Sequence, residues 1–514
     1  MKKHVPAERV TDVNQAPVRP DGDYVLYWMI MARRTTYNWG LQRAAERCRE
    51  FGRPLVVLEA LRAGYPWASA RFHRWALDGM ADNAKRFART PVLHFPYVEP
   101  TPGAGSGLLE ALAERACIVV TDEFPDFFIP RMVAAAGRKL TTRLEQVDGN
   151  GLLPLRAADR AFTHAHFFRR HLQNTLPDLL GDAPLANPLA GAALPRLDGL
   201  PTRITHRWPP ASLELLGGDG ELLRKLPIDH EVPPVAYRGG ATKAQAVLKG
   251  FIEERYPRYA ERKNQPENPV NSGFSPYLHW GFLSAHQVFE RVADAEGWTI
   301  ERLAPKATGK REGWWGMSAN GETFLEELIT WREVSYNTSF HLPDHAEYGS
   351  LPAWALTTLE EHRRDPRPEL FSRDELEEGR SYDALWNATQ GQLRREGRIH
   401  NYMRIVWGKQ FMLWSPTPEE ALARMIHINN RWALDGRNPN SYSGIFWTMG
   451  RYDRAWGPER PVIGKLRPSS STATARKVRV RDYIREYAPA GAHTVEDRGA
   501  SKGAPAAQSV LPPD

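Results

Sequence analysis

The hydrophobic pattern changes its period part-way along the chain, and this change limits the fold more than any other feature. Between residue 24 and about residue 150, the short apolar runs YVLYWMIM, PLVVLEAL, VLHFPYVE and CIVVTDEF alternate with amphipathic stretches such as YNWGLQRAAERCREF and RFHRWALDGMADNAKRFA. The runs read as strands buried on both faces, and the stretches between them carry the helical repeat. Alternation of this kind predicts a parallel, Rossmann-like α/β domain. From about residue 240 to 435 the strand signals give way to helical ones, in TKAQAVLKGFIEERYPRYAERK, LSAHQVFERVADAE, ETFLEELITWREVSYNTSF, ALWNATQGQLRREG and HNYMRIVWGKQFMLW. A second, all-helical domain is expected there. LANPLAGAALPRLDGLPTRI, rich in proline, glycine and alanine, reads as the connector.

The boundaries that follow are an N-terminal extension at 1–22, the α/β domain at 23–155, a helical segment and connector at 156–235, and the helical domain at 236–484. Residues 485–514 lack periodicity and are expected to be a disordered tail. A chain of 514 residues exceeds one ordinary core, and 42% hydrophobic with 25% charged residues is a globular balance. No apolar run has the length of a membrane span and no secretory leader is visible, so a cytoplasmic protein without membrane contact is expected. The two cysteines, Cys48 and Cys117, stand far apart outside any CxxC pair, which excludes a four-cysteine zinc site and suits reduced thiols. A net charge of +7 leans toward a polyanionic partner.

Several stretches carry possible chemistry, each with a plainer reading beside it. PGAGSG at 102–107 lacks P-loop spacing and reads as a flexible loop. His164, His166 and His171, and the pair His341 and His345, lack the supporting ligands of a metal site, so no metal is assigned. Asn271, Ser272, Gly273 and Ser275 precede a helical segment and are able to hold a diphosphate, or simply to cap and turn. Glu327 and Trp331 share a helical face with Arg332 beside them, which suits a flat, hydrogen-bonding ligand and equally suits packing. In INNRWALDGRNPNSYSGIFW the density of Asn and Asp favours turns, with polar groups able to read a heterocycle's edge. YDRAWGPERPVIGKLRP and ARKVRVRDYI interleave cations with aromatics, as a nucleic-acid face requires and a solvated surface also permits. Trp407 and Trp414 lie two helical turns apart, on one face with Phe411, as a buried stripe would.

In this order, YVLYWM, NWGLQRAAE, VVTDEFP, VDGNGLLP, SPYLHWG, FLEEL with WRE, LWNATQ, HNYMRIVWGKQ, LDGRNPNSY and ERPVIGKLR resemble the photolyase/cryptochrome family, most closely its class II cyclobutane pyrimidine dimer photolyases. The resemblance covers residues 24 to 484. It implies a light-driven carbon–carbon lyase in which excited reduced FAD passes an electron to the dimer and splits it. It implies that Tyr259, Asn271, Ser272, Gly273, Phe274 and Ser275 hold the diphosphate side of FAD, and that Arg332, Asn337, Arg404 and Asp435 line its pocket, with Asn429 facing the flavin and Asn440 nearby. Glu327 would hydrogen-bond the dimer, with Trp331 and Trp447 packed against it. Trp407, next to the flavin, and Trp386, further out, would relay electrons, with Trp414 as an auxiliary member. The expected partner is UV-damaged DNA, the expected state a monomer, and an antenna chromophore would be a deazaflavin, a folate or absent.

The chain departs from the family pattern at Phe282, His286 and Gln287, and at Tyr452 and Asp453, which stand where a substrate-contacting histidine–aspartate pair is usual. KATGKREGWWGMSANGE resembles an insertion. These departures bear on the lesion contacts and keep open a cryptochrome-like light sensor without repair, or a photolyase for another pyrimidine lesion. A flavoprotein that merely binds DNA is the third reading.

Overall fold

The computed structural model describes residues 4–489. Five parallel strands, β2 (Tyr24–Met29), β3 (Leu55–Leu61), β4 (Leu93–Val98), β5 (Ala116–Glu123) and β6 (Leu144–Asp148), are joined by β1 (Val10–Asp12) in the order β1-β6-β5-β2-β3-β4. The chain winds from β2 outward to β4 and then returns to place β5 on the other side of β2. That reversal opens a crevice beyond the carboxyl ends of the strands. Both faces of β2 and β5 are buried, which explains their unbroken apolar runs. The helix Trp39–Phe51 starts where the Asn38 side chain accepts the Leu41 amide at 2.9 Å, and it ends on Gly52 in the left-handed conformation.

Two strands escaped the periodicity argument. LEQVD is half polar, and VTD is only three residues long. The second corrects the extension drawn at 1–22, because β1 pairs antiparallel with β6. Arg9 beside it is buried and donates to the carbonyls of Asp148, Gly151 and Leu152 at 3.2, 3.2 and 2.7 Å. The segment belongs to the α/β domain.

The second half is helical. The pattern over 242–263 breaks at Pro257, giving the helix Ala241–Gly250, a wide π turn Phe251–Arg255 and a short helix Tyr259–Arg262. The insertion-like segment is pinned by Trp314 and Trp315, both buried, and Trp298 Nε1 donates to the Trp315 carbonyl at 2.6 Å. The helix Arg481–Tyr487 crosses the boundary set at 484, docking through the Tyr483 hydroxyl, which donates to Gln392 Oε1 at 2.8 Å. The rest of the expected tail, from 490 on, lies outside the described residues. No helix among the described residues is long and apolar enough to cross a membrane.

The halves are joined by polar clasps. Glu333, buried, accepts the amides of Leu152 and Leu153 at 2.7 and 2.9 Å. Arg71 donates to the carbonyls of Trp432 at 2.7 Å and Pro233 at 2.9 Å. Backbone groups paired this way need no water, so the junction can be dry.

Candidate active site

Two cavities meet inside the helical half. The first, about 530 Å³, is walled by Tyr259, the loop 271–275, Arg332, Arg404, Asp435 and Asn440 among others. Gly273 makes the loop possible: its φ is +72°, and a Cβ there would lie 3.2 Å from Arg398 Nη1. At the end of this loop, Ser275 Oγ donates to Asp435 Oδ2 at 2.7 Å and Arg404 Nη2 stands 3.5 Å from the same oxygen. Burial, then the Glu327 charge, pushes the Tyr259 phenol far above its ordinary range, so it stays neutral.

Among the buried polar atoms around this cavity that have no partner within the protein are Arg332 Nη1, Asp435 Oδ1 and Asn271 Oδ1. Each orphaned group costs about 1–3 kcal/mol unless a ligand satisfies it. Donor and acceptor sites around one large cavity fit a flavin nucleotide, whose ring edge and diphosphate supply complementary groups.

Two residues assigned to this wall stand elsewhere. Asn337 lies five residues beyond Arg332 on the helix Arg332–His341, which turns it toward the loop 160–162; it donates to the Arg160 carbonyl at 2.9 Å and accepts the Phe162 amide at 3.1 Å. Asn429 is fully buried one layer behind the wall, accepting from Arg404 at 3.1 Å and donating to Ser441 at 2.5 Å. The turn expected over 428–447 is likewise confined to 433–438. Asn429 and Asn430 belong to the helix Pro418–Trp432, because their amides clasp Ser441 and Tyr442 of the next helix instead of competing for backbone.

The second cavity, about 890 Å³, opens from the first and shares Glu327, Asn401, Arg404 and Asn440 with it. Glu327 and Trp331 reach it from a π turn, Glu326–Trp331, set in an otherwise continuous helical stretch 319–341; such wide turns recur at functional sites. Glu327 Oε1 pairs with Lys263 Nζ at 2.9 Å. Trp447 and Tyr452 complete the aromatic lining, with the Tyr452 ring 6.4 Å from that of Trp331. Tyr452 holds φ at +62°, and its hydroxyl bonds Thr338 Oγ1 and Ser443 Oγ at 2.5 and 3.1 Å. Asp453 also lines the cavity, but its carboxylate is committed to Arg467 at 2.8 Å and Trp456 Nε1 at 3.1 Å. The rim is basic, with Lys310, Arg311, Arg454 and Arg467.

Lys310 and Arg311 come from the inserted segment, and sequence reasoning did not assign them a role. Gly309 packs on His166 and its amide donates to Gln173 at 2.7 Å, so the insertion is clamped beside the cavity. The departures at 282–287 lie elsewhere. Phe282 is buried against Gly79 and Trp75, His286 against Trp39, and Gln287 exchanges hydrogen bonds with Gln245 at 2.9 and 2.8 Å. None of the three lines the second cavity.

The tryptophans form a connected, buried group behind the first cavity. Trp407 follows Arg404 by one turn on the helix Asn401–Trp414, and its Nε1 donates to Gln390 at 2.9 Å. Trp386 Nε1 donates to the Trp407 carbonyl at 2.9 Å. Phe411 packs on both, at 4.7 Å from Trp407 and 5.5 Å from Trp386, and Trp414 lies 5.2 Å from Trp386. The core stripe is therefore real, and Trp386 completes it from the neighbouring helix.

Lys409, two residues after Trp407, is buried with its ammonium donating to the Thr448 carbonyl and with no carboxylate ion pair among the described residues. Burial pulls it from 10.5 down to about 7, against the opposing charge of Asp453. The folded protein thus binds fewer protons than the unfolded chain between these values, so stability rises with pH across that window and is lost as pH falls through it. Lys409→Met is expected to gain about 1–4 kcal/mol at pH 7. The rise in Tm from pH 7 to 10 should flatten in the variant; an equally steep rise would assign the slope to other groups.

A third cavity, about 640 Å³, fills the crevice beyond the carboxyl ends of β2, β3 and β5. Tyr65 Oη, His279 Nδ1 and Arg437 Nη2 are buried there without partners. His279 belongs to the walls of both this cavity and the first, and burial followed by the Arg437 charge holds it far below the imidazole range. PGAGSG lines this cavity and is anchored, correcting the flexible loop: Glu99 Oε1 accepts the amides of Gly103 and Gly105 at 3.0 and 3.1 Å. Those amides are spent on a carboxylate of the protein.

No family model matches the chain. It is similar to proteins named deoxyribodipyrimidine photo-lyase from Methanothermobacter thermautotrophicus, 28% identical over 481 residues and covering 93% of this chain and 97% of that one. The namesakes from Oryza sativa, 29% identical over 492 residues, and Potorous tridactylus, 28% over 473, cover 93% and 90% of this chain and 89% and 81% of their own. In fold it is similar to a bacterial class III photolyase from Agrobacterium tumefaciens, with a TM-score of 0.62 at 17% identity over 91% of this chain and 86% of that one. Relatives aligned over most of their length, a shared architecture and the ordered motifs together support the photolyase/cryptochrome family for this chain.

Proposed function

We propose that the protein repairs DNA in a light-driven reaction, holding FAD in the first cavity and a cyclobutane pyrimidine dimer in the second. The enzyme class, a DNA-repair lyase, follows the name its relatives share. The observation that carries the finer reading is the meeting of the two cavities at Glu327, Arg404 and Asn440. One is lined by unpaired buried polar atoms; the other carries Trp331, Trp447 and Tyr452 and is bordered by cations. The ordered motifs, which resemble class II most closely, support the dimer as substrate.

Bound reduced FAD supplies, under blue or near-UV light, the electron that opens the cyclobutane ring and is then returned. Arg332 and Arg404 favour negative charge on the flavin, and Asp435, Ser275 and Asn271 orient it. Photolyases take the damaged bases out of the duplex, and rim cations neutralise the phosphates alongside. Trp331 and Trp447 offer ring faces to the extruded pyrimidines, while Glu327 accepts a pyrimidine N–H, with Lys263 aiming the carboxylate. The third cavity suits a second, light-gathering chromophore with acceptor atoms for Arg437 and Tyr65.

The test is repair of a dimer-containing oligonucleotide by FAD-loaded, photoreduced protein under blue light, with a dark control. Light-dependent loss of dimers is expected. Photoreduction without repair would favour the sensor or another lesion. Glu327→Ala should weaken binding of dimer DNA relative to undamaged DNA by about 1.5–3 kcal/mol, roughly tenfold or more.

A further inference from the structure

None of the three tryptophans reaches the surface: Trp386 and Trp414 are 0% exposed and Trp407 1%. An electron vacancy moved onto this group is therefore sealed from any reductant in solution unless another side chain brings it out. The side chain in place to do so is Tyr382, 45% exposed. Its ring lies 5.4 Å from that of Trp414, and its hydroxyl oxygen accepts Trp414 Nε1–H at 3.0 Å. Phe371 packs on both rings, at 5.2 Å from Trp414 and 5.9 Å from Tyr382, and a phenyl ring is far harder to oxidise than a phenol or an indole.

The backbone holds Tyr382 rigidly. It sits between Ser381, whose amide and hydroxyl donate to Asn387 Oδ1 at 3.0 and 2.7 Å, and Asp383, which caps the Trp386 amide at 3.0 Å. The other Asp383 oxygen accepts from Gln410 at 3.2 Å and Ser471 at 2.5 Å. SYDALW thus fixes the exposed phenol and the buried Trp386 on one capped helix start.

We propose that Tyr382 is the solvent-facing end of the relay, oxidised by Trp414 and re-reduced from solution; this rests on the FAD and relay reading above. The oxidant at the inner end is a light-excited oxidised flavin, and the reductant outside is a thiol. One electron passes from the Tyr382 phenol to the Trp414 radical cation, restoring a closed-shell indole. The phenolic O–H bond breaks and its proton goes to water, leaving a neutral tyrosyl radical. The thiol returns one hydrogen atom to that oxygen, and two thiyl radicals combine to a disulfide. Because Tyr382 accepts from Trp414, its own proton is free to leave toward solvent. Once that proton is gone the vacancy cannot run back without recapturing one, so the separated charge persists until the thiol arrives.

The test uses full-length, FAD-loaded protein, flashed with blue light without thiol and followed by transient absorption and electron paramagnetic resonance. A tyrosyl radical is expected, its signal altered by ring-deuterated tyrosine and slower to form in D₂O. Tyr382→Phe should lose that signal, leaving a shorter-lived tryptophanyl radical, and Trp414→Phe should lose it as well. No tyrosyl radical in the wild type, or one that survives in Tyr382→Phe, overturns the proposal. Trp407→Phe separates the two failures. If it still forms radicals, the relay reading itself is wrong; if it forms none while Tyr382→Phe keeps the wild-type signature, the relay stands and Tyr382 is not its end.

Discussion

Trp407→Phe is expected to abolish light-driven reduction of bound FAD. Trp407 is the member of the buried group that follows the cavity-wall residue Arg404 by one helical turn, and Trp386 and Phe411 contact it from behind. Phenylalanine keeps most of the packed volume but removes the ring that can hold a vacancy, and it leaves Gln390 Oε1 without its indole donor. The fold should survive at a cost of about 1–3 kcal/mol. Bleaching of the oxidised-flavin absorbance under blue light with excess thiol is the measurement. Bleaching at the wild-type rate would remove Trp407 from any relay.

The largest structural effect is expected at Gly281. Its φ is +71°, and a Cβ would fall inside the van der Waals radius of the Met31 carbonyl oxygen and 2.7 Å from the Arg33 amide nitrogen. Both obstructions are backbone and cannot swing aside. The Gly281 carbonyl also accepts from Arg34 Nη1 at 2.9 Å, so separating the two segments strands a buried guanidinium. Gly281→Ala should cost more than about 4 kcal/mol, combining left-handed strain with a forced gap. Thermal unfolding with limited proteolysis checks this; a variant with wild-type Tm and the same cleavage pattern would show that the junction can shift freely. Met31, Arg33, His279 and Trp280 line the crevice cavity and His279 also lines the flavin-sized one, so loss of FAD affinity should accompany the loss of stability.

Strand runs that are apolar on both faces were legible because burial on both faces leaves no polar positions; β6 and β1, near the edge, kept theirs and were not. Gly273, Ser275, Arg404 and Asp435 were legible as one group through motif order, although 160 residues separate Ser275 from Asp435. The misplacement of Asn337 and Asn429 has a single cause. Motif order says which residues travel together, but a helical residue's partner depends on the rotation of its helix against its neighbours. The same holds for Phe282 and His286, which pack between the halves, and for Gln287, which pairs with Gln245 inside the helical half.

By itself the sequence determined the two-part architecture, the helix carrying Trp407, Phe411 and Trp414 on one face, and the family resemblance, since periodicity and motif order are properties of the linear chain. Only the tertiary structure decided that Glu327 stands where two cavities join, that the inserted segment delivers Lys310 and Arg311 to the rim, and that the tryptophan group reaches solvent through Tyr382. Cavities, exposure and orphaned polar atoms arise where segments far apart in the chain fail to fill the space between them. That is a property of packing in three dimensions, which no local pattern encodes.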